Sequence, residues 1–213
     1  MSSIANNNGL VIMNALIKAI QDNKQYLSDI DGLIGDGDHG VNMNKGFTLC
    51  QEELADQPCE LSEGLKTLSQ ILMTKIGGSM GPLYGMFFKA LGRACKDQEQ
   101  IDKAVFGDML TAAKDKVLDI SGAKQGDKTL LDTLIPAHEA YHEALAADAS
   151  FADCLAKMSA AAQAGRDATE DLVAKVGRSS RLGERSRGVL DAGAASCCLI
   201  LQTLASTIES QLD

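Results

Sequence analysis

The stretch GLIGDGDHGVNMNKG, residues 32–46, decides between two kinds of fold. Its centre, GDGDHG, satisfies the dinucleotide-binding pattern G-x-G-x-x-G at Gly35, Gly37 and Gly40. That pattern belongs to an α/β fold only where a strand runs into the glycines. Here the preceding residues are Leu10, Met13, Leu16, Ile17 and Ile20, then Leu27 and Ile30. They keep the i, i+3, i+4, i+7 rhythm of a helix with one buried stripe, and the spacing predicts that it ends near Asp31-Gly32. Asp36 and Asp38 also place negative charge where a bare pyrophosphate would approach the turn. The glycines are therefore a hinge between helices, not a strand-to-helix turn.

The same helical rhythm continues outward from this stretch. Apolar stripes run through Met43, Phe47, Cys50 and Leu54; Leu61, Leu65, Leu68 and Leu72; Leu83, Phe87 and Leu91; and Val105, Met109 and Val117. Others follow at Leu130, Leu134, Tyr141 and Leu145; Phe151, Leu155, Met158 and Ala162; and Ile200, Leu204, Ile208 and Leu212. Period-two alternation of β-branched and aromatic residues is hard to find. The pattern predicts an all-α chain of about eight amphipathic helices, with no linker to divide residues 1–213 into separate domains. Four glycine-bearing segments punctuate it: DGLIGDGDHGVNM, KIGGSMGPLYG, SGAKQGDKT and VGRSSRLGERSRGVLDAGAAS. In an up-and-down arrangement, alternate connections share an end. Counted as the first, third, fifth and seventh connections, all four line one rim.

The chain has 213 residues, 29 Asp and Glu against 20 Lys and Arg, and a formal net charge of −9. Attraction to nucleic acid backbones or anionic lipid rests on clustered cations, so neither is expected as a direct partner. The N-terminal apolar run is broken by Asn14 and Lys18, no segment reads as a membrane span, and the chain is expected to be cytoplasmic. Six cysteines are scattered without C-x-x-C spacing and fall mostly among apolar residues, as reduced core thiols do.

Asp31, Asp36 and Asp38 lie within eight residues on a segment that glycines allow to curl. An EF-hand loop begun at Asp36 fails, because Gly40 and Val41 fall where an oxygen ligand and the obligatory glycine belong. Two readings stand. The aspartates end one helix and cap the next, or they converge on a hard divalent cation such as magnesium, which leaves positions open for phosphate oxygens. GGSMGP, residues 77–82, is either a flexible turn with Pro82 opening a helix or a place where backbone amides approach an anion. GAKQGDKT imitates a P-loop, but Asp127 intrudes and no strand precedes it. Lys128 and Thr129 remain candidates for phosphate or ribose contact, or for simple capping. Arg178, Arg181, Arg185 and Arg187 form either a solvated face or an anion contact, guanidinium being shaped for phosphate. His138 and His142, a turn apart, read as a helix surface or a packing detail, not as a zinc site.

Taken in order, DGLIGDGDHGVNMNKGF, KIGGSMGPLYGMFF, GAKQGDKTLLDTLIP and GRSSRLGERSRGVLDAGAAS resemble the nucleotide-binding L component (DhaL) of dihydroxyacetone kinases over almost the whole chain. The resemblance implies a barrel of eight antiparallel helices with a nucleotide, ADP or ATP, at one rim. It implies that Asp31, Asp36 and Asp38 hold two Mg2+ ions. It implies nucleotide contacts at His39, Gly40, Val41 and Asn42; at Gly78, Ser79 and Met80; at Ser121, Thr129 and Leu130; and at Arg178, Asp191, Ala192 and Gly193. The chain departs from the family at Ile120-Ser121-Gly122, where Arg-Gly-Gly is common, and at Met80, where a small residue is common. The implied activity is phosphoryl transfer to dihydroxyacetone held by a separate K subunit. ADP is then either a fixed coenzyme rephosphorylated by a phosphohistidine M subunit, as in the phosphotransferase-system type, or an exchanging product of ATP. A related ketose such as erythrulose is the alternative substrate. A homodimer and a transcription factor are further partners the family admits, the latter with a regulatory role.

Overall fold

A computed structural model describes residues 2–212. The first predicted helix is two: α1 (Gly9–Asp22) and α2 (Lys24–Ile34). Asn23 breaks them apart, because its side-chain Nδ2 takes the Ala19 carbonyl at 2.9 Å while its backbone N–H turns to Gln21. Such side-chain competition for a backbone acceptor is the usual reason Asn interrupts a helix. α2 also runs past the expected end at Asp31-Gly32, so Asp31 stands on its last turn and not in the loop. Then follow α3 (His39–Leu54), α4 (Leu61–Lys75), α5 (Met80–Ala94), α6 (Lys103–Ser121), α7 (Leu131–Ala146), α8 (Phe151–Ala168) and α9 (Ala192–Glu209). With α1 and α2 counted as one interrupted rod, the eight expected elements are present among the described residues.

Neighbours in sequence pack side by side from α2 through α9, and α9 closes the ring against α1. The apolar stripes meet in one continuous core, with Phe47, Tyr84, Phe87, Phe88, Phe106 and Tyr141 among its largest fully buried side chains. α9 is the one helix among the described residues long and apolar enough to cross a membrane by length and composition, and 61% of that window is buried inside the barrel. Its hydrophobicity is spent on closing the ring. All six cysteines are free, and burial pushes the Cys50 and Cys95 thiols up to about 12.

Two strands escape a periodicity argument. β1 (Ser3–Ala5) pairs antiparallel with β2 (Gln100–Asp102), Ile4 opposite Ile101. Three residues each are too few to show alternation. The Asn6 side chain fastens this end by donating to the carbonyls of Cys95 at 3.0 Å and Gln98 at 2.8 Å. The opposite end carries the α2–α3, α4–α5, α6–α7 and α8–α9 connections, the four glycine-bearing segments that the alternation of helix direction assigns to one rim.

Candidate functional site

Those four connections enclose a cavity of about 300 Å3. Asp31 reaches it from the last turn of α2, which Gly35 ends by donating its N–H to the Asp31 carbonyl at 2.5 Å. The chain then turns through Gly37, at φ +75°, and presents Asp36 and Asp38 to the same space. A ligand oxygen from each of the three carboxylates lies within 4.8 Å of the others. Asp31 also accepts the His39 N–H at 3.2 Å. Three carboxylates this close repel one another unless a cation stands among them. Here Arg178, from the α8–α9 segment, ion-pairs with Asp36 and comes to 4.0 Å from Asp38. The all-oxygen donor set, already engaging a cation, fits a hard divalent ion.

The first turn of α3 is divided. His39 and Asn42 line the cavity, whereas Gly40 and Val41 do not. Gly40 is buried against α2, where a Cβ would fall 2.0 Å from the Lys24 carbonyl oxygen; Val41 is 48% exposed on the outer face. The run expected to touch nucleotide thus supplies two wall residues, one packing glycine and one surface residue. His39 Nε2 lies 2.8 Å from the Ser196 hydroxyl, which lies 2.6 Å from the Tyr84 hydroxyl; Tyr84 donates to the Gly193 carbonyl at 3.0 Å. Burial pushes the His39 imidazole down to about 4, against the opposing pull of the Asp31 carboxylate, so it is neutral at pH 7.

On the next connection, Gly78 (φ +72°), Ser79 and Met80 line the cavity at the N-terminus of α5. Nothing lies within 4 Å of where a Cβ at Gly77 or Gly78 would stand, so this backbone is open to a ligand. The first amides of a helix lack intrahelical acceptors and suit an anion. Pro82 is the third residue of α5 rather than its first.

Ser121, Thr129 and Leu130 line the wall from the α6–α7 connection. The Thr129 hydroxyl accepts the Leu131 N–H at 3.2 Å, and its own N–H goes to Asp132 at 2.8 Å. The Lys128 side chain is 1% exposed and its ammonium donates to the carbonyls of Leu172 (3.1 Å), Ser186 (2.6 Å) and Val189 (2.6 Å). Lys128 borders the cavity, and all three of its donors are spent on the α8–α9 segment, so it serves as an internal tie.

From that last segment come Arg178, Asp191, Ala192 and Gly193. Asp191 caps α9, accepting the Ala194 N–H at 2.7 Å, and burial pushes its carboxyl up to about 7 despite that bond. Arg181, Arg185 and Arg187 do not line the cavity; Arg187 instead pairs with Glu184 and donates to the Asp171 carbonyl. Tyr84 is a wall residue that the sequence did not single out, and Ser196 joins it to His39. Their only signals are positional: Tyr84 falls one turn after Met80 and Ser196 one turn after Gly193. His138 and His142 pack on Thr111, each 3.0 Å from its hydroxyl, as expected of a packing detail.

The DAK2 domain family matches residues 33–206. The chain is 35% identical over 196 residues to the PEP-dependent dihydroxyacetone kinase 1 ADP-binding subunit DhaL of Listeria innocua, covering 92% of this chain and 93% of that one. It is also 35% identical over 201 residues to the D-erythrulose kinase of Mycolicibacterium smegmatis, of which it spans 34%. The dihydroxyacetone kinase of C. freundii in its native form superposes with a TM-score of 0.72 at 25% identity, over 95% of this chain and 35% of that one. The same enzyme solved with AMP-PNP and Mg2+ gives 0.68 at 24% identity.

Proposed function

This chain belongs to the DAK2-domain family, and from that premise we propose that residues 1–213 are a single nucleotide-binding domain serving as the phosphoryl-transfer subunit of a dihydroxyacetone kinase. The convergence of Asp31, Asp36 and Asp38 within 4.8 Å at the rim carries the proposal. These residues would hold Mg2+, in two ions, beside ADP or ATP. Bound magnesium supplies charge neutralisation for phosphate oxygens, which with positioning is most of what phosphoryl transfer asks of a protein.

The chain's own groups account for the remainder. The amides at Gly78 and Ser79 would hold the phosphates, and the α5 N-terminus would favour their charge. His39, held neutral and tied through Ser196 to Tyr84, orients without adding charge. Ser121, Thr129 and Leu130 on one side and Asp191, Ala192 and Gly193 on the other line the cavity and would wall the rest of the nucleotide. Arg178 neutralises the acidic loop from across the rim.

In this reading the rim cavity takes the nucleotide and its metal, dihydroxyacetone is held by a separate K subunit, and this chain alone has no kinase activity. An M subunit then rephosphorylates ADP in place, in the cytoplasm. Identity to the ADP-binding subunit across 93% of its length supports this version. The equal identity to D-erythrulose kinase favours, as a second reading, an ATP-dependent enzyme acting on a four-carbon ketose.

The test is calorimetric titration of ADP with and without magnesium. Asp36→Asn and Asp38→Asn are each expected to weaken magnesium-dependent binding by about a hundredfold, in line with losing a charged ligand, while helical circular dichroism stays unchanged. Undiminished binding by both variants would remove the metal assignment.

A further inference from the structure

α4 and α5 approach closely because Gly85 and Gly92 face α4: a Cβ at Gly85 would stand 2.3 Å from Met73 Cγ, and one at Gly92 3.0 Å from the Ser62 carbonyl oxygen. Along their outer flank runs a groove of about 330 Å3 that shares no lining residue with the rim cavity. Lys66 borders it from α4, Lys89 and Arg93 from α5, and Lys96 from just beyond, against one carboxylate, Glu63. Four cations to one anion is a reversal in a chain of net charge −9. Among the described residues none of the four makes an ion pair. Lys89 and Arg93 also border the adjoining groove over α6, but Asp115 and Asp119 there are already engaged by Lys114 and Lys116.

Ser69 lines the same groove, 1% exposed, and its hydroxyl has no hydrogen-bond partner. A serine in mid-helix ordinarily bonds back to the carbonyl four residues earlier. A buried hydroxyl left unmatched is disfavoured, so a position that keeps one gains from an acceptor brought by a ligand.

We propose that this groove is a second anion site, taking a small phosphate-bearing metabolite. Arg93 and the three lysines supply charge, and the Ser69 hydroxyl donates to one phosphate oxygen. The volume is at the lower bound for small-molecule pockets, about 300 Å3, and suits a compact ligand.

Pyrophosphate is the probe, titrated calorimetrically into the nucleotide-free full chain in EDTA, where no magnesium supports the acidic loop. The expected result is binding that Arg178→Gln leaves intact, that Ser69→Ala weakens a few-fold, and that the double variant Lys66→Gln, Arg93→Gln weakens by about tenfold or more. Both side chains of the double variant are exposed, and unchanged helical circular dichroism checks that it folds. No heat with the parent chain overturns the proposal. So does binding that the double variant retains and Arg178→Gln loses, which would put the anion at the rim. Because Arg178→Gln removes the rim's own cation, it separates the two places, and failure here leaves the assignment of the rim untouched.

Discussion

Asp191 heads α9 in a setting that disfavours its charge. Burial raises its carboxyl from 3.8 to about 7, the nearby Asp132 carboxylate adds to the shift, and the Ala194 N–H and Lys128 oppose it. A raised folded pKa means that the native state binds more protons than the unfolded chain between these two values. Its contribution is greatest below about pH 4 and is lost as pH rises to about 7, by up to roughly 4 kcal/mol. Asn can accept the Ala194 N–H and has no charge to bury. Asp191→Asn is thus expected to flatten the denaturation profile of the nucleotide-free, EDTA-treated protein between pH 4 and 7, and to be no less stable at pH 7.5. A profile as steep as the parent's would contradict this. Lys128 presents the opposite problem, an ammonium whose removal strands three carbonyls. Lys128→Met is expected to lower the melting temperature by roughly 5–10 °C, from about 2–4 kcal/mol of lost bonding. An unchanged melting temperature would show that water replaces it freely.

At the level of elements, the α2–α3 corner depends on how near one backbone can come to another. Gly40→Ala puts a methyl into the Lys24 carbonyl, with Ser28 Oγ and N at 2.6 and 2.7 Å beside it. It should destabilise by at least about 2 kcal/mol in urea and tilt the acidic loop, whereas the exposed neighbour Val41→Ala should change stability by less than about 0.5 kcal/mol. Equal effects would undo the distinction drawn between these two positions. The helices themselves were legible in the sequence because Leu, Met and Phe recur at 3.6-residue spacing, and the common rim followed from counting reversals of direction. Asp31, Asp36 and Asp38 were legible as a cluster because they are adjacent in the chain. Tyr84 and Ser196 were not, since the contacts that join them to His39 span 112 residues from Tyr84 to Ser196 and 157 from Ser196 to His39, and exist only once α3, α5 and α9 are packed. The role of Lys128 stayed open for the same reason: the carbonyls that claim it are 44 to 61 residues away. The break at Asn23 left no trace in periodicity, because the apolar stripe continues through it.

For the molecule as a whole, one core threads every α-helix. Such a body should unfold as a unit, with far-ultraviolet dichroism and tyrosine near-ultraviolet signals melting together; separated midpoints would indicate that part of the ring opens first. The fastening of β1 to β2 has a further consequence. Ser3 is held at the end remote from the aspartates, α9 delivers the chain to that same end, and the Asn8 side chain donates to Gln211 across 2.9 Å. Both extremities of the described chain therefore emerge side by side from the floor of the vessel, with its mouth facing away. Anything spliced to either one, whether an affinity handle, a surface tether or a companion module, would trail behind the protein and leave the opening clear.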